Sequence, residues 1–336
     1  MNVWFNQYLK YIEIDIVDIM TRFKNIVLLG QHIRLKLTKF SIILIGMDAL
    51  LLVLIGGYFI IHAQNNCLNE AASLAKTKVL APCIQTEVLP PTGFKSKIVL
   101  GDIILKMEQD GIIDKSKVEA LYKQQGGLTK DELTMLSSPT TQPLTINTQN
   151  EVWLVNMLWG IGLGNYMNVN KQSPIYQSDV NGFASTGGWT LGKSDNGGDY
   201  FNKYNLISLS PTQQERVKQL AETIYRPCCN NPTFFPDCNH GAAAMALIEL
   251  GVSEGLSDND IYKTVLGFNS FWFPNNYLET ALYFNRVKHT DWNNIDPKVV
   301  LSSSYSSISG WIQNVDTPLQ KEKIFIPSQS AGSCGV

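Results

Sequence analysis

The chain reads as mainly α-helical: a single N-terminal transmembrane helix, then a helical ectodomain with long ordered loops and a Cys-rich loop between two helices. Three observations predict this. Phe40 to Ile61 is one nearly apolar run, and helix-cap patterns recur along the remainder. Three cysteines and a histidine crowd into Arg226–His240, where one predicted helix stops and the next begins.

Residues 1–39 mix Trp4, Phe5, Tyr8, Ile12, Ile14, Ile16 and Ile19 with acids, then turn basic. This is the pattern of an amphipathic leader lying at a membrane surface. The run 40–61 follows, about 22 residues that at roughly 1.5 Å each match a hydrocarbon core of about 30 Å. Lys24, Arg34, Lys36 and Lys39 flank its N-terminal side, while only Lys76 and Lys78 follow closely on the other. The positive-inside bias then predicts a single-pass protein of the cell membrane, with the N-terminus cytoplasmic and all six cysteines outside. Asp48 is a lone carboxylate tolerated within the run.

Residues 62–137 form a membrane-proximal helical segment. Within it, 98–136 reads as a small helical hairpin unit, with capping boxes at Ser116–Glu119 and Thr129–Glu132. The polar stretch Ser137–Pro143 reads as a linker to the main Cys/His-containing helical ectodomain, 145–336. There Thr148–Glu151 caps a helix with the apolar stripe Val152, Leu154, Val155, Leu158 and Ile161, expected to end at Gly160, Gly162 and Gly164. Residues 170–205 carry Gly, Ser, Asn and Asp without a sustained period and read as a long ordered loop. Asp195, Asn196 and Asp199 lie there without the spacing of a calcium loop. Ser210, Pro211 and Gln213 make a hydroxyl cap, a first-turn proline and a capping-box amide, predicting a helix to about Tyr225 that Pro227 stops. A helix over about 241–254 follows, and Ser257–Asp260 caps a third to about Phe268. The crowded aromatics Phe268, Phe271, Trp272, Phe273, Tyr277, Tyr283 and Phe284 read as core, and His289 as a solvated loop residue.

Charge narrows the function classes. With 27 basic against 29 acidic residues and only 17% charged, nothing points to nucleic acid. The partners expected are the membrane and other proteins of the envelope.

The chemistry concentrates in the cysteine loop. Cys238 and His240 stand at the start of a helix, whose free amides and positive end favour a thiolate. A thiolate binds soft metals and attacks disulfides, so one feature supports two readings. For metal, Cys228, Cys229, Cys238 and His240 offer three sulfurs and an imidazole, a set suited to zinc or copper(I). Adjacent Cys228 and Cys229 project to opposite faces of an extended backbone, so joint coordination requires a bend. For redox, Cys228, Cys229 and Cys238 are the candidate thiols, and Cys334 in the Gly/Ser tail is a possible resolving thiol. Covalent haem requires Cys-x-x-Cys-His, which is absent. A third reading makes the protein a non-enzymatic envelope scaffold or interaction protein whose cysteines, Cys67 with Cys83 for instance, form structural disulfides.

Helix, cysteine loop, helix and then Glu254–Ile261 leading into a third helix, over about residues 212–275, is similar to the haem-lyase thioreductase subunit of cytochrome c maturation. The resemblance implies a membrane-anchored three-helix domain that reduces apocytochrome cysteines through a Cys-x-x-Cys pair. Cys228 matches the first cysteine of that pair, and the second has no counterpart because Cys229 follows directly. The string Arg226–Gly241 also resembles membrane-anchored proteins of uncultivated microbes, which implies an address and no mechanism.

Overall fold

The computed structural model describes residues 82–322 apart from residue 125. The leader, the apolar run with Asp48, His62, Cys67 and Cys334 lie outside the described residues. Among the described residues no helix is long and apolar enough to cross a membrane.

The described chain is mainly helical, as expected. Helix α1 (Pro82–Val88) leads to strand β1 (Phe94–Lys95), followed by three short helices, α2 (Ile103–Gln109), α3 (Lys115–Lys123) and α4 (Lys130–Met135). Strand β2 (Thr145–Ile146) pairs antiparallel with β1, Phe94 opposite Ile146. The capping box at Thr129 and Glu132 is formed. At α3, however, the cap is Asp114, whose carboxylate accepts from the amides of Ser116 and Lys117. Ser116 is therefore already inside the helix, because a carboxylate two residues earlier reaches the same free amides.

Residues 137–143 do not divide two cores. Thr140 bridges to Gly101, Leu144 donates its amide to the Ile98 carbonyl, and Ile98, Met107 and Ile113 share one buried cluster with Trp153, Leu158 and Trp189.

Helix α5 (Glu151–Gly164) is the axis of that cluster. The sequence stripe described only part of it: every residue from Trp153 to Gly164 is buried, and Val152 is exposed. Its three glycines lie inside the helix because close packing requires them. A Cβ on Gly162 would sit 2.0 Å from the Ala242 carbonyl oxygen, and one on Gly160 would sit 2.4 Å from Met107. Trp189 packs edge-on against Trp159 at 4.9 Å and donates to the Ile112 carbonyl, so the long 170–205 segment is pinned through its indole. That segment runs as short 3-10 turns. Its acidic cluster is internally satisfied, with Asp195 ion-paired to Lys117 and Asp199 accepting from Ser194.

Helix α6 (Pro211–Ala221) begins with the predicted capping box of Ser210 and Gln213, but ends at Ala221 rather than near Tyr225. Helices α7 (Asn239–Ser253) and α8 (Asp258–Trp272) follow. Helix α9 (Pro274–Val287) starts after a single intervening residue, Phe273, with Pro274 at its first position. Short helices α10 (Pro297–Val300), α11 (Ser303–Ser306), α12 (Ile308–Trp311) and α13 (Thr317–Lys321) close the described chain. A second cluster joins Ile84 and Val88 of α1 to Tyr277, Leu278, Leu282 and Phe284 of α9 and to Val300, Val315 and Leu319. The aromatics expected in the core are buried except Phe273, which is partly buried against both clusters, and His289 is exposed.

Candidate thiol and metal site

The site occupies the α6 to α7 connection, and a buried arginine organises it. After α6 the chain folds back on itself. The Ile224 carbonyl accepts from both the amide and the hydroxyl of Thr233, and the Phe234 amide reaches the Ala221 carbonyl. Arg226 is left inside this fold with no exposed surface. A buried guanidinium is tolerated when its nitrogens find partners, and here each of the three has at least one. Nε donates to Cys238 Sγ at 3.2 Å, Nη1 to the Asn231 carbonyl at 3.1 Å, and Nη2 to the Phe235 carbonyl at 3.3 Å and to the Asp237 carboxylate. Asn231 Nδ2 donates to the other Asp237 oxygen at 2.6 Å. Gly241 makes room for the guanidinium, since a Cβ there would stand 2.5 Å from Nη2 and 2.7 Å from Cζ.

The bend that adjacent cysteines require is present. The Cys229 amide donates to the Arg226 carbonyl at 3.4 Å, closing a turn with Pro227 at its second position, where the fixed φ of proline suits a turn. Cys228 and Cys229 thereby point the same way, with their sulfurs 3.4 Å apart. Cys238 supplies the third sulfur, 3.5 Å from that of Cys228, and all three lie within 4.8 Å of one another. Cys238 is also the N-cap of α7, its sulfur accepting from the Gly241 amide at 3.4 Å.

These contacts divide the charge among the three. Hydrogen bonds from the Cys228 and Cys229 thiols, with Arg226 behind them, hold the Cys238 thiol well below its ordinary pKa. Cys228 is pushed up, because its proton is engaged by Cys229 and Cys238 and because it is buried. For Cys229 the Cys228 thiol pulls down, but the Cys238 thiolate and burial outweigh it and carry the group up to about 12. The arrangement therefore favours the thiolate form at Cys238 and the thiol form at Cys228 and Cys229. Burial by itself would lower Arg226; the neighbouring sulfurs and Asp237 reverse that and raise it.

Of the residues expected at the site, Cys228, Cys229 and Cys238 converge. All three are free, so structural disulfides among them do not describe this arrangement. Cys83, far from the trio in sequence, is disulfide-bonded. His240 is buried at the first turn of α7, but it is not part of the converging group. Its ring packs on Phe273 at 4.5 Å and Trp272 at 5.7 Å, its Nδ1 has no hydrogen-bond partner, and burial lowers its pKa to about 4.

Sequence reasoning missed Arg226, Asn231, Asp237 and Gly241, although all four lie in or beside the same short segment. The available signal was a cation and a carboxylate enclosed by prolines and aromatics in a loop, where a charged pair has little water to face. The C-terminal segment also holds the loop: the Ile308 amide donates to the Cys229 carbonyl at 3.1 Å, and Ser309 to Asn230 Oδ1 at 3.0 Å and 2.7 Å.

No family model matches the chain, and neither does any curated protein or solved structure. The site is therefore interpreted from its own chemistry.

Proposed function

We propose that this chain is a membrane-anchored extracytoplasmic protein that binds a soft metal ion through Cys228, Cys229 and Cys238. The observation that carries the reading is the convergence of three free sulfurs within 4.8 Å. A turn and a helix cap fix them there, so little ordering is needed on binding. Thiolates are the ligands that soft ions select, and loading the site requires Cys228 and Cys229 to release their protons. The membrane address rests on the Phe40–Ile61 run and the basic residues before it.

The experiment is metal analysis of the full chain, purified in detergent under anaerobic, reducing conditions, beside its Cys238→Ser variant. About one thiophilic metal per wild-type chain and none in the variant is the expected result. A reduced wild-type protein that takes up no metal overturns the reading.

The 3.5 Å approach of the Cys238 sulfur to that of Cys228 favours a second reading, thiol–disulfide exchange. The Cys238 thiolate would attack a disulfide of a partner protein and expel one of its sulfurs as a thiolate. The sulfur of Cys228, once deprotonated, would displace the second substrate sulfur and leave a Cys228–Cys238 disulfide. Peptide mass mapping after equilibration in glutathione buffers separates the two readings. Exchange requires that disulfide to appear and vanish reversibly, whereas metal binding requires all three cysteines to stay reduced and to become alkylatable once the metal is chelated.

A further inference from the structure

The sulfur trio has neighbours on several sides, and they bear on which ion it suits. A metal–sulfur bond of about 2.3 Å places ligand sulfurs about 3.8 Å apart in a tetrahedron and about 4.0 Å apart in a plane. The sulfurs at 3.4 Å and 3.5 Å reach either arrangement by spreading a few tenths of an ångström. Spacing does not choose between them; the fourth position does.

Among the described residues, the nearby side chains that might complete a tetrahedron are held by other contacts or stand outside the converging group. Both oxygens of Asp237 are held, one by Arg226 and one by Asn231. The Tyr277 hydroxyl, whose charge would be felt by Cys228, is bonded to Asn269 Nδ2 at 3.2 Å and Ser306 Oγ at 2.9 Å in a buried network. His240 has a free Nδ1, but its ring is held against Phe273 and Trp272 and it is not among the ligand atoms that converge within 4.8 Å. Arg226 is a cation and no ligand, and its Nε lies 3.2 Å from Cys238 Sγ with the whole guanidinium buried.

That last neighbour discriminates by charge. A fixed buried cation repels a bound ion in proportion to the ion's charge, so a divalent ion meets twice the repulsion of a monovalent one at the same position. Expressed for the whole complex, this means that the guanidinium favours the more negative of two trithiolate complexes. Three thiolates around a monovalent ion carry a charge of minus two, against minus one around a divalent ion. The soft monovalent ion that thiolates select is copper(I).

We infer that the Cys228–Cys229–Cys238 site is a three-coordinate, all-sulfur copper(I) site that discriminates against zinc because Arg226 stands beside it and, among the described residues, no fourth side-chain ligand joins the three sulfurs. The inference rests on the metal reading above. It adds the identity of the ion, the coordination number and the exclusion of His240.

The test uses the full chain in detergent under anaerobic, reducing conditions. Copper(I) is competed against bathocuproine disulfonate, zinc(II) is competed against a chromophoric zinc chelator, and the loaded protein is measured by X-ray absorption. Expected are one copper(I) per chain, a shell of three sulfurs without nitrogen, and copper affinity unchanged in His240→Ala. Cys229→Ser should weaken copper binding by more than about 100-fold, since loss of a ligand exceeds the upper end of what altering its supporting partners costs. If Cys229→Ser fails to fold by circular dichroism, the coordination shell of the wild type still decides.

Zinc held in preference to copper, or a nitrogen in the shell that disappears in His240→Ala, overturns this inference and leaves the metal reading standing. Failure to bind either ion overturns both.

Discussion

At the scale of single residues, Arg226 contributes more to the site than any ligand, because it is what the loop folds around. Its guanidinium satisfies two carbonyls, a carboxylate and a thiolate from four separate residues. Arg226→Met removes those donors and leaves the Asp237 carboxylate, largely covered, without a cation. Breaking a buried pair from one side costs about 3–5 kcal/mol, and that loss is the expectation for chemical denaturation of the full chain. Asp237→Asn keeps a polar group for Arg226 and Asn231 and should cost less. A loss below about 1 kcal/mol in Arg226→Met would mean that the loop holds itself without the arginine. The candidate ligands were legible from residue type alone, whereas Arg226 was not. Nothing in the string Arg226-Pro-Cys-Cys announces that the guanidinium turns inward, since this depends on the missing side chain at Gly241, fifteen positions on, and on carbonyls that only the folded loop presents.

At the scale of elements, the two capping-box starts of α4 and α6 were readable, whereas the starts of α3 and α5 and the ends of α5 and α6 were not. The start of α6 at Ser210–Gln213 and that of α4 at Thr129–Glu132 formed as capping chemistry predicts, because a cap is a local contact between residues three apart. The end of α6 is tertiary: beyond Ala221 the backbone groups are claimed by Thr233, Phe234 and Leu301. Helix α9 was invisible for a related reason, since Phe273-Pro274 reads as a break yet Pro274 opens a new helix. Glycines in α5 misled in the opposite direction. Gly160, Gly162 and Gly164 looked like a stop, but Gly162 lies where α5 meets the backbone of α7 with no room for a Cβ, in the most extensively packed pair of helices. Gly162→Ala would place a methyl 2.0 Å from the Ala242 carbonyl oxygen, which lies on backbone that no rotamer change can move. The two helices must separate, and overpacking of this kind costs about 1–3 kcal/mol or more. Because Cys238 caps α7 one turn before Ala242, the same variant should also weaken metal retention. A Gly162→Ala protein with unchanged melting temperature would show that the α5–α7 contact is looser than described.

At the scale of the whole molecule, stability should depend on pH through groups buried in opposite senses. Glu249 lies within the α7 core with no exposed surface; one carboxyl oxygen accepts from Asn165 Nδ2 at 3.1 Å and the other has no partner. Burial raises its pKa well above the ordinary value, against the smaller downward pull of Asn165, so the folded state holds the acid neutral. A raised acid contributes stability that is complete below the unfolded pKa of about 4.3 and is lost as pH rises toward the folded value. Each pH unit in that window removes up to about 1.4 kcal/mol. Glu151 and Glu279, both raised to about 7 by burial, act in the same direction but less strongly because they are partly exposed. His240, lowered to about 4, works against them: its contribution is complete above about 6.5 and is lost as pH falls. Cys238, lowered by its two thiol neighbours, likewise contributes more as pH rises toward the ordinary thiol value. The opposing slopes hide one another in the wild-type curve, so the informative quantity is the stability difference between Glu249→Gln and wild type, in which every other group cancels. Urea unfolding of both proteins at pH 5, 6, 7 and 8 should give a gap that grows with pH in favour of the glutamine variant, by up to about 1.4 kcal/mol per unit until the folded pKa is passed. A gap that stays constant across that range would mean that Glu249 ionises in the folded protein as it does in the unfolded chain, and that water reaches the centre of α7.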